Sequence, residues 1–158
     1  MIENENLKVQ ENMKVQENLK AQEILKVQEI LNLEGWKYEK IENDILLIAA
    51  YQARKWKMVI SCEGESGVCC FAVYPWIVMV DKLAKTLVAL NELNLVQRGG
   101  CFMVNPTDSK VIYRYGMQIL DEYTSKEYIK NVLLLSVASV NANWEKIYSI
   151  IYGEGQTW

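Results

Sequence analysis

The chain has no histidine among its 158 residues. That removes the commonest general base, the proton switch of neutral pH and the favoured zinc ligand. An enzyme built from this sequence would have to work with carboxylates, lysine, tyrosine or cysteine. Long apolar runs are also missing: none approaches the roughly 20 residues that cross a bilayer, so no membrane span is expected. The opening Met1-Ile2-Glu3-Asn4-Glu5-Asn6 is acidic and polar. A secretory signal is basic and then apolar, so a cytoplasmic location is expected. Positive charge is in short supply. A net charge of −3 offers no attraction to nucleic acid or to an anionic membrane. The four cysteines, Cys62, Cys69, Cys70 and Cys101, include no C-x-x-C pair. Cys69 and Cys70 are strand neighbours and point to opposite faces, so they cannot close on one ion. With neither a C-x-x-C pair nor a histidine to complete a zinc set, no metal or cofactor is expected. A Cys62–Cys69 cross-strand disulfide is geometrically conceivable, but a reducing compartment disfavours it. Gly64-x-x-Gly67 and Gly99-Gly100 lack the surroundings of a phosphate-binding loop and read as turns.

What is present is an apolar share of 51%, suited to a globular domain. Residues 1–34 carry seven Glu against four Lys, which accounts for the whole net charge of −3. This region contains a hexapeptide repeat: Leu7-Lys-Val-Gln-Glu-Asn12, Met13-Lys-Val-Gln-Glu-Asn18, Leu19-Lys-Ala-Gln-Glu-Ile24 and Leu25-Lys-Val-Gln-Glu-Ile30. Its residue types favour helix. A six-residue step on a helix rotates by about 240° net, so successive leucines land on different faces and form no coiled-coil seam. The repeat therefore reads as a solvated helical extension over 1–22, and its use as an assembly device is the competing reading. The last copy differs, because Ile24, Val27, Ile30 and Leu31 form a coherent stripe ended by Gly35. Residues 23–153 then form the domain, with a tail at 154–158.

Strands are predicted at Trp36–Ile41, Asp44–Tyr51, Trp56–Cys62 and Val68–Tyr74, the last ending in a break at Pro75. If Glu65-Ser66 is the hairpin tip, Cys62 faces Cys69, Ile60 faces Phe71 and Met58 faces Val73. The central helix, about Asp81–Leu95, is apolar at Leu83, Ala84, Leu87, Leu90 and Leu93. A second hairpin, Cys101–Asn105 and Val111–Tyr115, turns through Pro106-Thr107-Asp108-Ser109. The last helix opens with a capping box at Thr124-Ser125-Lys126-Glu127 and runs to Gly153. Leu134, Leu135, Val137 and Ala138 widen its apolar face, so it wants cover on more than one side. The fold class is α+β: an antiparallel sheet with an N-terminal helix, a central helix and a long C-terminal helix.

The order strand, Tyr74-Pro75-Trp76, helix ending in Leu90-Asn91-Glu92-Leu93-Asn94, then Gly100-Cys101-Phe102 and a hairpin resembles the YbjN family of candidate bacterial sensory transduction regulators. The resemblance covers about Ile24 to Tyr152. It implies a fold similar to type III secretion chaperones, and it implies no catalytic residue set. The family often has proline before the acidic start of the central helix. Here that place holds Val80-Asp81, so the helix entry is expected to differ.

No carboxylates converge in the pattern. Asp121-Glu122, Glu63 and Glu65 fall in turns or helix starts, where they solvate loops, so no catalytic residue is assigned. The aromatics on strands have no basic stripe beside them, so nucleic-acid stacking is not expected. Tyr74, Pro75, Trp76, Ile77 and Met79 place a long apolar run at a strand-to-helix junction and are the candidate partner-binding residues. The expectation is a non-enzymatic protein-binding module, chaperone-like or regulatory, acting on a protein partner and forming a homodimer. The alternative is a small-ligand-binding or catalytic module with an apolar pocket between the sheet and the C-terminal helix.

Overall fold

A computed structural model describes residues 2–63, 67–118 and 126–153. Helix α1 (Ile2–Leu33) is followed by strands β1 (Tyr38–Ile41), β2 (Asp44–Tyr51), β3 (Arg54–Glu63) and β4 (Gly67–Ile77). Then come a 3-10 turn (Val80–Lys82), α2 (Leu83–Leu95), β5 (Cys101–Val104), β6 (Lys110–Gln118), α3 (Lys126–Ala142) and α4 (Trp144–Tyr152). The strands form one antiparallel sheet of six in the order β1-β2-β3-β4-β6-β5. This is the α+β architecture that the sequence pattern predicts.

Burial alternates along the strands, as the period of two demands. Ile45, Leu47, Trp56, Met58, Ile60, Cys62, Val68, Cys70, Ala72, Tyr74, Val111 and Tyr113 are buried on the helix side. The opposite face carries Leu46, Val59, Phe71 and Val73, each half-buried, and the exposed Lys55 and Lys57. There Arg114 lies over the Phe71 ring at 5.8 Å.

Helix α1 docks only by its last turns. Ile24, Val27, Ile30 and Leu31 are at most 3% exposed, whereas Leu7, Val9, Met13, Val15 and Leu19 are exposed. Gly35 ends the helix at φ 71, a conformation only glycine adopts without cost. Trp36 N–H then donates back to Leu31 O at 2.8 Å.

Four details differ from the sequence reading. β1 begins at Tyr38 rather than Trp36, because the closure of α1 holds Trp36 off the sheet. The β3–β4 register is one residue away from the expected one. Cys62 opposes Val68, Ile60 opposes Cys70 and Met58 opposes Ala72. The one-residue slip turns Phe71 and Val73 to the water side. It also sends Cys69 to the face opposite Cys62, so the conceivable disulfide has no geometry.

Strand β4 does not break at Pro75. It runs to Ile77 through a register shift between Val73 and Ile77. A bulge is where a residue without an N–H costs the ladder nothing. Finally, the long C-terminal helix is two helices. Asn143 sits between them at φ −100 and ψ 7, and its Nδ2 donates to Ser139 O at 2.9 Å. That side-chain bond competes with the continuing backbone ladder and lets α4 turn. The predicted capping box begins at Thr124-Ser125, outside the described residues.

Candidate functional site

The predicted partner-binding run divides into a buried half and an exposed half. Tyr74 is 0% exposed and donates its hydroxyl to Val140 O at 3.0 Å, tying β4 to α3. Burial pushes its phenol well above the ordinary range, so it stays a neutral donor. Trp76, two residues on and on the same face, is half-buried and stacks on Tyr74 at 5.6 Å. Pro75 is exposed at the bulge. Ile77, Met79 and Val80 are 50%, 59% and 89% exposed. Between them Val78 is buried and donates its N–H to Ser109 O at 2.7 Å, which pins the segment.

The anchor behind this run is a chain of rings. Trp76 meets Trp144 edge-on at 4.6 Å and Tyr148 at 5.2 Å. Trp144 also touches Tyr74 at 5.5 Å and Trp56 at 5.7 Å. Tyr148 continues to Tyr152 at 5.1 Å. Edge-on and tilted rings are the favoured aromatic geometries and add about 0.5–1.5 kcal/mol per pair beyond area burial. Arg54 locks the far end. Its guanidinium donates to Asn141 O at 3.0 Å, to Asn141 Oδ1 at 2.9 Å and to Glu145 at 2.6 Å, and it lies 5.9 Å from the Trp144 ring centroid. The exposed residues are thus carried on a stiff mount.

Helix α2 adds to the exposed surface, against the sequence reading. It buries Thr86, Ala89, Leu90 and Leu93. Leu83, Ala84 and Leu87, expected on the core face, are exposed. The helix is entered through the 3-10 turn at Val80-Asp81-Lys82 rather than directly at Asp81, and this turn sets the rotation. Val80, Leu83 and Leu87 follow one another at helical spacing and continue the exposed apolar line from β4.

Sequence reasoning missed Arg54, Trp144 and Tyr148 as parts of this mount. The signal was present, since Trp144, Tyr148 and Tyr152 recur every four residues, but it reads equally well as an ordinary core stripe. Among the described residues no three His, Cys, Asp or Glu side chains gather as a metal site. An open cleft of 290 Å³ lies elsewhere, lined by Trp36, Lys37, Leu47, Ile48, Ala49, Ala50 and Val137. Among the described residues, Lys37 is its one ionisable lining residue.

No family model matches the chain, and no curated protein matches it. Among solved structures similar in fold is that of YbjN from E. coli, described as a candidate transcription regulator. It shares 10% identity at a TM-score of 0.55, over 75% of this chain and 90% of that one. At that identity the likeness shows the fold, and it agrees with the six-stranded sheet and flanking helices seen here. Among the described residues no helix is long and apolar enough to cross a membrane.

Proposed function

We propose that this chain is a non-enzymatic protein-binding module of the YbjN type, chaperone-like or regulatory, working in the cytoplasm. One observation carries the reading: Ile77, Met79 and Val80 stand in water on a backbone held by the aromatic chain and the Val78 hydrogen bond. Rigid exposed apolar groups bind at low ordering cost. The regulatory description attached to the similar YbjN structure accords with this role. Self-association belongs to the same proposal, with Leu134 and Leu135 of α3, 43% and 52% exposed, as the contact.

The test is affinity capture from native cells with two baits, the parent chain and a Met79→Asp/Val80→Asp variant. Both substituted residues are exposed, so thermal stability should not change. A protein retained by the parent and lost by the variant at equal stability supports the proposal. Identical capture by both baits removes the shoulder from it. The small-ligand reading is favoured by one feature, the 290 Å³ cleft at the outer edge of β2, to which α3 contributes Val137. With Lys37 as its one ionisable lining residue among the described residues, that cleft supports binding better than acid–base chemistry.

A further inference from the structure

The sheet has two edges, and the chain treats them differently. The β5 edge is closed by a side chain. Asn94 of α2 donates from Nδ2 to Phe102 O at 2.9 Å and accepts the Phe102 N–H on Oδ1 at 2.7 Å. Its carboxamide supplies the two hydrogen bonds that a neighbouring strand would make, which is one way a sheet edge is protected.

The β2 edge is only half covered. Strand β1 pairs with Asp44–Leu47, whereas β2 pairs with β3 along its whole length to Tyr51. The chain cannot extend β1 backwards, because Gly35 and the Trp36–Leu31 hydrogen bond turn it into α1. Ile48–Tyr51 therefore keep an outer edge that has no backbone partner among the described residues. On such an edge alternate residues turn both N–H and C=O outward.

The 290 Å³ cleft lies against this stretch. On the helix side its wall is Trp36, Leu47, Ala49 and Val137. On the other face of the sheet, Lys57 stands opposite Ile48 and Lys55 opposite Ala50 on the neighbouring strand. Lys37 adds a third cation, and among the described residues no anion lines the cleft.

We propose that the Ile48–Tyr51 edge takes up an extended acidic peptide as an added strand. Its apolar side chains enter the cleft, and its carboxylates, on the alternate face, meet Lys37, Lys55 and Lys57. Main-chain pairing supplies affinity and the alternating side chains supply choice, as in strand addition generally. This site is separate from the Ile77–Val80 shoulder and does not rest on it. A second copy of the chain fits the edge poorly. Antiparallel self-pairing of Ile48–Tyr51 would bring the copy's Lys55 toward Lys37, setting like charges together.

The test uses the full chain and an end-blocked hexapeptide of alternating valine and glutamate, read by calorimetry and by amide hydrogen exchange. Saturable binding with slowed exchange at Ile48–Tyr51 is expected. The same peptide N-methylated at alternate residues should bind at least roughly tenfold more weakly, because it cannot pair. A Lys37→Glu/Lys55→Glu variant, checked for unchanged circular dichroism, should lose the valine–glutamate peptide and gain a valine–lysine one. Equal binding of the N-methylated peptide would show a greasy cleft and no added strand. Failure of the glutamate peptide to bind, binding without protection at Ile48–Tyr51, or protection of those amides by rising protein concentration alone would each overturn the proposal.

Discussion

Glu23 shows how one position inside a repeat takes a different physical role from its copies. Glu11 and Glu17 are exposed, whereas Glu23 is 5% exposed and lies beside Cys62. Burial raises its carboxyl pKa above the ordinary 4.5, opposed by a hydrogen bond with Cys62 and by the charges of Lys26 and Lys20. The Cys62 thiol is in turn pushed up to about 12 by burial and by Glu23, so it stays a protonated donor. The folded carboxyl holds its proton to higher pH than the unfolded one. The stability this contributes is fully present below 4.5 and is lost as pH rises through the raised folded value. Glu23→Gln should therefore match the parent near pH 4 and exceed it at pH 7 in urea midpoint. A variant no more stable at pH 7 would contradict the burial argument. Tyr74→Phe deletes the hydroxyl bonded to Val140 O and should cost about 1–2 kcal/mol in the same assay, with a folded far-ultraviolet spectrum retained.

At the scale of elements, α1 is one continuous helix with two regimes. Its outer turns expose Leu7, Met13 and Leu19, and its last turns bury Val27 and Leu31 completely or nearly so. The hexapeptide step explains the first regime, because it scatters leucines around the axis. Removal of residues 2–20 should change folding free energy by no more than roughly 0.5 kcal/mol. Leu31→Ala should cost roughly 2–5 kcal/mol, since it opens a cavity under the sheet. Chemical denaturation of both variants measures this contrast. Loss of folding on deletion would make the repeat a structural element in its own right. The ion pairs Lys126–Glu29 and Lys130–Glu34, each at 2.6 Å, also join α3 to α1 and to the turn that ends it. Exposed pairs of this kind add only tenths of a kcal/mol, so the apolar stripe decides the docking.

At the scale of the whole molecule, the helices cover one face of the sheet and leave α3 with an unburied side. Leu134 and Leu135 are exposed there, next to the buried Val132, Leu133 and Ser136. Light scattering at high micromolar concentration should give a dimer, and Leu135→Lys should give a monomer of unchanged stability. A parent chain that scatters as a monomer would defeat the self-association proposal.

What the linear pattern determined is local and periodic. The period of two in Trp56–Cys62, the stripe of Ile24–Leu31 and the turn residues of both hairpins specify elements and their order, because burial of one face is written into their spacing. The α+β class followed from these. Three outcomes needed the folded chain. The β3–β4 register was not readable from spacing, because every residue from Val68 to Tyr74 is apolar and a one-residue slip leaves an apolar set on either face. The rotation of α2, which leaves Leu83 and Leu87 in water, came from the 3-10 turn at its start and from packing against β5. The break at Asn143 came from a side chain bonding to the carbonyl of Ser139, a choice open to any asparagine on a helix. The buried half of the predicted partner run, Tyr74 and Trp76, and its exposed half, Ile77 and Met79, are all apolar or aromatic. Their hydrophobicity marks the segment in the sequence. Only the placement of Trp144 and Tyr148 against it decides which side chains the molecule keeps and which it offers.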